Sequence, residues 1–245
     1  MKDERRGSIL FLHGFLGSPK DWAPVLKELK DPQDWNVVCV NLWDDLPPLR
    51  FDSMTEWLDA FAEKYGALSS LILCGYSLGG RLAMAFACRR PDLLKALIVV
   101  SGHPGLLSQA EKKARLAEDR RWARIFSNEP WDRALSRWNR RTVFVGHQIR
   151  PKRESFTPEK LAAALEIFSL GTQQDLRQCL QRLRIPILWV VGEKDAKFVE
   201  IANETWRSES SISVKTIPNC GHRVPHEKPR ALAVLLNSFF AQINI

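Results

Sequence analysis

Short apolar runs alternate with longer amphipathic stretches along most of this 245-residue chain. These short runs are apolar or rich in strand-forming residues, and they fall at residues 9–12, 37–40, 71–74, 96–101, 187–191 and 214–217. Apolar positions recur at helical spacing at residues 21–30, 53–65, 78–89, 198–206 and 229–242. Strands separated by helices are typical of βαβ units, so the pattern predicts an α/β protein with a mostly parallel central sheet flanked by helices.

Residues 104–157 interrupt this alternation between the fourth and fifth predicted strands. The stretch is rich in Arg and Trp and has a helical pattern. Because ligands of parallel α/β sheets bind at the carboxyl ends of the strands, we expect this insertion to lie above that edge. The predicted organisation is a core of residues 1–103 and 158–245 with a helical insertion at residues 104–157, which we call the cap.

The formal net charge of +8 is concentrated in one segment. Residues 110–153 hold 13 Lys and Arg against 5 Asp and Glu, so this segment accounts for the whole excess. A basic patch of this kind is the electrostatic footprint of a nucleic-acid-binding protein, but no nucleic-acid-binding motif accompanies it. Several of these charges, such as Arg133 and Arg137, are expected on solvated helix faces.

The start of the chain and the cysteines indicate the cellular setting. The charged residues 1–6 run into the apolar residues 9–12, a segment too short for a signal sequence or a membrane span. The five cysteines are odd in number and none is spaced as C-x-x-C, so buried free thiols are expected. These features predict a soluble, cytoplasmic protein that makes no membrane contact.

The most informative motif is Gly75-Tyr76-Ser77-Leu78-Gly79, which follows the third predicted strand. The pattern G-x-S-x-G at a strand-to-helix turn is a nucleophile elbow. Its two glycines allow a turn so sharp that the serine hydroxyl is exposed at the top of the sheet. Ser77 is therefore the candidate catalytic serine.

A serine hydroxyl reacts when another group takes its proton, and a histidine held by a carboxylate does this. In proteins with this elbow, the three residues follow the chain order Ser, acid, His. Asp195 follows the fifth predicted strand and His222 the sixth, so the predicted triad is Ser77, Asp195 and His222. Glu193 is an alternative acid, and His226 is a poorer base because it falls at the start of the last predicted helix.

Two backbone amides are candidates for an oxyanion hole, which stabilises negative charge on a substrate oxygen. One is the amide of Leu78, directly after the serine, and the other comes from His13-Gly14-Phe15 after the first predicted strand, with Phe15 as the expected donor. An ordinary glycine turn at the end of a strand is the alternative interpretation of that second segment.

Arg81 lies four residues after Ser77 and shares its helix face, and its side chain leans back toward the serine. It either pairs with a buried acid or binds a substrate carboxylate with both terminal nitrogens, and the spacing leaves both roles open. His103 and His147, in or beside the cap, either contact substrate or face solvent.

The elbow, the order of the triad and His13-Gly14 resemble the α/β-hydrolase fold over the full length of the chain. Two longer stretches, Gly-Tyr-Ser-Leu-Gly-Gly-Arg at residues 75–81 and Ser-Gly-His-Pro-Gly-Leu at residues 101–106 running into residues 114–122, resemble the 2-succinyl-6-hydroxy-2,4-cyclohexadiene-1-carboxylate synthases of menaquinone and phylloquinone biosynthesis. The loop at residues 192–198 is similar to that family as well. The chain differs from the family at residues 41–47 and at Asn139, where the family often has a tyrosine.

The resemblance implies a lyase that eliminates pyruvate from 2-succinyl-5-enolpyruvyl-6-hydroxy-3-cyclohexene-1-carboxylate, with no metal or organic cofactor. In the implied mechanism, His222 oriented by Asp195 makes Ser77 basic enough to take a ring proton. The substrate is a small polyanion, in agreement with the charge located independently in the cap. The resemblance implies substrate-binding roles for Arg81, Arg115, Arg153, Trp138 and Tyr76.

Two rival functions use the same features. A serine esterase or thioesterase acting on a small anionic acyl substrate would use the same triad, and the fold alone does not exclude it. The positive cap and Arg81 favour the lyase over this hydrolase. A non-enzymatic protein whose basic segment binds nucleic acid would leave the triad unexplained.

Overall fold

Six parallel strands form one sheet in the computed structural model, which describes residues 6–144, 147–153, 156–206 and 212–243. The strands are β1 (Gly7–Leu12), β2 (Trp35–Val40), β3 (Leu71–Tyr76), β4 (Leu94–Val100), β5 (Ile187–Gly192) and β6 (Ile212–Ile217). Their order across the sheet is β2-β1-β3-β4-β5-β6, and every neighbouring pair is parallel. The predicted α/β fold with a parallel sheet is confirmed, and each predicted strand is present. The charged residues 1–5 at the start of the chain lie outside the described residues.

The helices that connect these strands lie on both faces of the sheet. They are α1 (Ala23–Leu26), α2 (Met54–Tyr65), α3 (Leu78–Arg89), α4 (Gln109–Asn128), α5 (Trp131–Asn139), α6 (Pro158–Ile167), α7 (Arg177–Arg182), α8 (Ala196–Thr205), α9 (Val224–Glu227) and α10 (Pro229–Gln242). The predicted helix at residues 21–30 is wrong in most of its length, because only a 3-10 turn (Pro19–Trp22) and the short α1 form there. The amide of Lys30 donates to the side-chain oxygen of Asn237 on α10 at 2.9 Å, so the chain is bonded to α10 where the helix was predicted to continue.

The strands divide their side chains between two hydrophobic cores. Leu10 and Leu73 point to the face covered by α2, α3 and α8, whereas their neighbours Ile9 and Ile72 point to the face covered by α1 and α10. Because both faces are covered, the inner strands β1, β3 and β5 are buried along their whole length, whereas the edge strands β2 and β6 are partly exposed. Full burial of each such side chain stabilises the fold by about 1.5–3 kcal/mol.

The order of the strands places the first and third βα loops side by side. The chain runs from β1 to β2 on one side and then returns to β3 on the other, so the connections reverse direction between β1 and β3. In open α/β sheets a ligand binds in the crevice at this reversal. The loops that follow β1 and β3 carry Phe15 and Ser77.

Helices α4 and α5 and a 3-10 turn (Thr142–Phe144) occupy the stretch predicted as a cap. Helix α4 begins with a capping box, in which Ser108 accepts from the amide of Glu111 and the Glu111 carboxylate accepts from the amide of Ser108. Helix α6 begins at residue 158, in the part predicted as core, and packs against α4. The helical layer above the sheet therefore continues past residue 157.

The expectation of five free thiols is wrong for two cysteines. Cys88 on α3 and Cys179 on α7 form a disulfide, whereas Cys39, Cys74 and Cys220 are free. The two paired residues are 91 positions apart, and only the packing of α7 against α3 brings them together. Among the described residues, no helix has both the length and the apolar character needed to cross a membrane.

Candidate active site

Ser77 occupies a sharp turn between β3 and α3. Its backbone has φ 52° and ψ −108°, a conformation that non-glycine residues rarely adopt. The turn needs Gly75 and Gly79, because a Cβ on Gly75 would lie 2.2 Å from the carbonyl oxygen of Gly79. The Ser77 amide is fixed by a 2.9 Å bond to the carbonyl of Val100 on β4. The backbone strain and the tight glycine packing together hold the serine at the carboxyl edge of the sheet.

The three residues of the predicted triad lie within hydrogen-bond distance of one another. Ser77 Oγ is 3.0 Å from His222 Nε2, and His222 Nδ1 is 2.6 Å from Asp195 Oδ2. The side chains of Asp195 and His222 are each 3% exposed. Because the carboxylate accepts the proton on Nδ1, the lone pair of the neutral ring is on Nε2 and faces the serine hydroxyl. The arrangement is that of a general base poised to take the serine proton.

The alternative acid and the alternative base have other partners. Glu193 is exposed and accepts from the amide of Asn219 at 2.8 Å. His226 lies in α9 rather than at the start of the last helix, and its Nε2 is 3.6 Å from Asp21 Oδ2. Neither residue replaces its counterpart in the hydrogen-bonded chain that ends at Ser77.

His13 shapes the loop that carries Phe15. Its Nδ1 donates to the carbonyl of Gly14 at 2.8 Å, and its Nε2 accepts from the amide of Leu42 at 3.1 Å. Burial lowers the pKa of His13, so the ring is neutral, as these two bonds require. Both candidate oxyanion-hole residues, Phe15 and Leu78, line the same cavity as Ser77.

A cavity of about 620 Å³ opens above the serine and His222, between the sheet edge and the cap. Its aromatic lining includes Phe15, Trp138 and Phe144, with the Trp138 ring 4.9 Å from the Phe15 ring. Among the cationic side chains that line the same cavity, four lie close enough to interact with one another and form what we call the cationic wall: Arg81, Arg115, Arg141 and Lys197. Apolar surfaces and converging cations suit a small ligand with several carboxylates.

Arg81 is buried, and its hydrogen-bond partners in the described part of the chain are neutral groups. Its Nε donates to the side-chain oxygen of Gln173 at 2.7 Å, and one terminal nitrogen donates to the carbonyl of Phe168 at 2.6 Å. No carboxylate lies in salt-bridge contact with it among the residues that the structure describes. Burial, followed by the neighbouring charge of Arg115, lowers the pKa of Arg81 to about 9, so it keeps its charge at neutral pH. This geometry favours anion binding over the alternative of a buried ion pair.

The other members of the wall are partly neutralised. Arg115 donates from Nε to both oxygens of Asp119 at 2.9 Å, and Arg141 pairs with Glu118 at 2.9 Å. Burial lowers the pKa of Lys197, and the charge of Arg115 adds to this effect. The cationic wall therefore has a net positive charge, and a bound anion compensates the repulsion between its members.

Not every residue implied to bind substrate lies in the cavity. Tyr76 and Trp138 do, and the Tyr76 ring is 5.8 Å from the His222 ring. Arg153 is not among the lining residues, because it donates to the carbonyl of Phe156 and lies over the ring of Trp131. A substrate-binding role for Arg153 stays a prediction.

At Asn139 the sequence departs from the implied family. The side chain of Asn139 joins α5 to the segment that contains Ile149. Its side chain donates to the carbonyl of Ile149 at 2.8 Å and accepts from the amide of Ile149 at 3.2 Å. The second departure, at residues 41–47, includes Trp43, whose indole nitrogen donates to the carbonyl of Gly17 at 2.8 Å. Both departures thus support the cavity from outside its lining.

Several lining residues had not been singled out from the sequence. Lys197 lies two residues after Asp195, and Arg223 directly follows His222, so proximity to the triad was an available signal for both. Arg223 donates to the carbonyl of His147 and lies 4.1 Å from the centre of the Phe144 ring. Nothing in the local sequence connects Arg223 with those cap residues.

Comparisons with known proteins agree with this geometry. The sequence pattern of the alpha/beta hydrolase family matches residues 9–235. The 2-succinyl-6-hydroxy-2,4-cyclohexadiene-1-carboxylate synthase of Enterobacter sp. (strain 638) is 35% identical over 236 residues, covering 93% of this chain and 89% of that protein. The synthase of the same name from Salmonella typhimurium (strain LT2) is 34% identical over 237 residues, covering 91% and 89%.

Solved structures show the same similarity. The structure of MenH from S. aureus has a TM-score of 0.86 and 25% identity, and the match covers 99% of this chain and 96% of that one. A thermophilic esterase from Thermogutta terrifontis, solved with malate bound, has a TM-score of 0.71 and 22% identity over 98% and 92% of the two chains. The second likeness concerns the fold alone.

Proposed function

The chain belongs to the alpha/beta hydrolase family and, within it, to the 2-succinyl-6-hydroxy-2,4-cyclohexadiene-1-carboxylate synthases, and from this membership we propose that it eliminates pyruvate from 2-succinyl-5-enolpyruvyl-6-hydroxy-3-cyclohexene-1-carboxylate. The protein is an enzyme, a carbon–oxygen lyase of menaquinone or phylloquinone biosynthesis. It acts in the cytoplasm, the location expected from the sequence.

One observation carries this proposal: the hydrogen-bonded chain from Ser77 through His222 to Asp195 opens into a cavity walled by cations. The substrate has three carboxylates, on its succinyl group, its ring and its enolpyruvyl group. Cations in a poorly hydrated site attract carboxylates far more strongly than in open water. A neutral ester has no carboxylate that the cations of this wall could bind.

In the proposed reaction, Ser77 acts as a base toward a ring carbon. Its Oγ takes the ring proton while its own hydroxyl proton passes to His222 Nε2. The electrons of the broken C–H bond form a new ring double bond, the existing ring double bond shifts by one position, and the C–O bond to the enolpyruvyl group breaks. The electron pair leaves on the pyruvate enolate, which takes the proton from His222 and becomes pyruvate.

The remaining residues act on charge and position. Negative charge that spreads onto a substrate carbonyl oxygen is stabilised by the amides of Phe15 and Leu78. Arg81, already oriented by two hydrogen bonds, offers its remaining donors to a carboxylate, with Arg115 beside it. Holding the ring in place in this way converts binding energy into correct orientation.

The test is release of pyruvate from the enolpyruvyl substrate, made enzymatically in situ, followed together with the rise in absorbance of the conjugated diene. A p-nitrophenyl ester is the control substrate. Fast pyruvate release with feeble ester cleavage supports the lyase. Rapid ester turnover without pyruvate would instead identify a serine hydrolase, with the same triad and a different substrate.

A further inference from the structure

His103 lies between the end of β4 and the cap and lines the cavity with the cationic wall. Only 7% of its surface is exposed. Its Nδ1 accepts from the amide of Gly105 at 3.1 Å. An accepting Nδ1 carries a lone pair, so in the neutral ring the proton is on Nε2. Nε2 has no hydrogen-bond partner among the residues that the structure describes.

The loop that carries His103 is held rigidly. The carbonyl of His103 accepts from Gln173, the carbonyl of Pro104 accepts from the amide of Leu176, and the carbonyl of Gly105 accepts from Arg177. Gly105 itself has φ +134°, and a Cβ there would lie 2.6 Å from a neighbouring carbonyl oxygen. The ring is therefore presented by a fixed backbone rather than by a mobile loop.

The surroundings of His103 keep it uncharged. Burial, followed by the charges of Lys197, Arg81, Arg177 and Arg115, lowers the pKa of His103 to about 2. These cations come from four elements packed around the ring, α8, α3, α7 and α4. An uncharged ring adds a hydrogen-bond donor to this crowded wall without adding a further positive charge.

We propose that His103 binds a carboxylate oxygen of the substrate through its Nε2–H, as a neutral donor beside Arg81 and Arg115. This inference rests on the proposed function for the identity of the substrate. It assigns His103 a binding role and no proton transfer, because a ring that stays neutral at physiological pH has no acidic proton to give. The cations supply attraction, and the fixed N–H supplies direction.

A matched pair of substitutions separates the donor from the fold. In His103→Asn, the shorter side chain keeps an oxygen near the Gly105 amide but places no donor at the position of Nε2. His103→Gln places an N–H there. We expect His103→Asn to raise KM for pyruvate release by about 10- to 100-fold with a smaller change in kcat, the cost of losing one hydrogen bond to a charged group. His103→Gln recovers most of that loss.

Binding of 2-succinylbenzoate, an aromatic ring with a succinyl group and a carboxylate, separates this inference from the reaction. Calorimetry of the wild type and both variants measures its affinity without catalysis. If the wild type binds the probe in a His103-dependent way but releases no pyruvate, the proposed function fails and the role of His103 stands. If His103→Asn matches the wild type in both KM and affinity, the role of His103 is overturned.

Nitrogen-15 NMR of the histidine rings tests the wild-type protein directly and does not depend on how the variants fold. His103 is expected in the Nε2–H form from pH 5.5 to pH 8, with its Nε2 proton shifting downfield when 2-succinylbenzoate is added. An Nδ1–H ring, or an Nε2 signal unchanged at saturating probe, would contradict the proposal.

Discussion

Arg81 donates from Nε to the side-chain oxygen of Gln173 at 2.7 Å, and this bond joins segments 92 residues apart. The amide nitrogen of the same Gln173 side chain donates to the carbonyl of His103 at 3.2 Å. One buried, neutral side chain thus orients both the arginine below the serine and the loop at the base of the cap. Because Gln173 is uncharged, it fixes the guanidinium without neutralising it.

Gln173→Glu is therefore expected to weaken substrate binding. A carboxylate at this position would pair with Arg81 and compete with the substrate for its charge. We expect KM for pyruvate release to rise by at least about tenfold, as for the loss of a charge-assisted hydrogen bond. Gln174→Glu, on the exposed neighbour, is the matched control for added charge. Equal kinetics in the two variants would show that Arg81 does not need its charge.

The geometry of the triad predicts that catalysis depends on the carboxylate of Asp195 and not on that of Glu193. Ser77→Ala and Asp195→Asn are each expected to reduce kcat by about a thousandfold or more, because the first removes the base and the second disturbs the proton position on His222. Glu193→Gln, at the exposed acid two residues away, is expected to leave kcat unchanged. Steady-state pyruvate release measures all three. A Ser77→Ala variant with near-normal turnover would refute the proposed mechanism.

The inner strands β1, β3 and β5 were predictable because they are buried on both faces and largely apolar, and the partly exposed edge strands β2 and β6 were predictable because they are rich in β-branched residues. The proximity of Ser77, Asp195 and His222 followed from the same pattern, since each residue lies in the connection that follows a parallel strand and all such ends meet at one edge of the sheet. Long-range side-chain bonds were not predictable. Gln173 gives no local sign that it reaches Arg81, and Arg223 gives none that it contacts the carbonyl of His147.

The disulfide between Cys88 and Cys179 was not predictable from the sequence either, because it joins residues that are distant along the chain. Its removal is expected to lower the stability of the fold. Closing a long loop restricts the unfolded chain, an effect of about 2–4 kcal/mol. For a chain of this size we expect Cys88→Ser to lower Tm by roughly 5–15 °C under oxidising conditions. Cys39→Ser, at a free and half-buried thiol, is the control.

Adding dithiothreitol to the wild type is expected to reproduce the loss of stability in Cys88→Ser, whereas the variant itself should not respond. Such reduction is the expected state of these thiols in a reducing compartment. A wild-type Tm that is the same in both conditions, with complete reduction verified by thiol titration, would show that the packing of α7 on α3 is sufficient.

His103 makes the stability of the fold depend on pH in a definite direction. Its pKa is about 2 in the folded protein, below the value of 6.5 for an unperturbed histidine. At acidic pH, His103 is therefore protonated in the unfolded chain and neutral in the folded chain. The neutral ring therefore contributes its full stability above about pH 6.5, and this contribution falls as the pH drops below that value. The slope for one histidine is about 1.4 kcal/mol per pH unit.

Guanidinium unfolding of the wild type and His103→Gln between pH 4.5 and pH 7.5 measures the difference between their free energies of unfolding. Because all other titrating groups are shared, the wild type should lose stability more steeply by about that slope, and parallel curves would mean that His103 is protonated in the folded state.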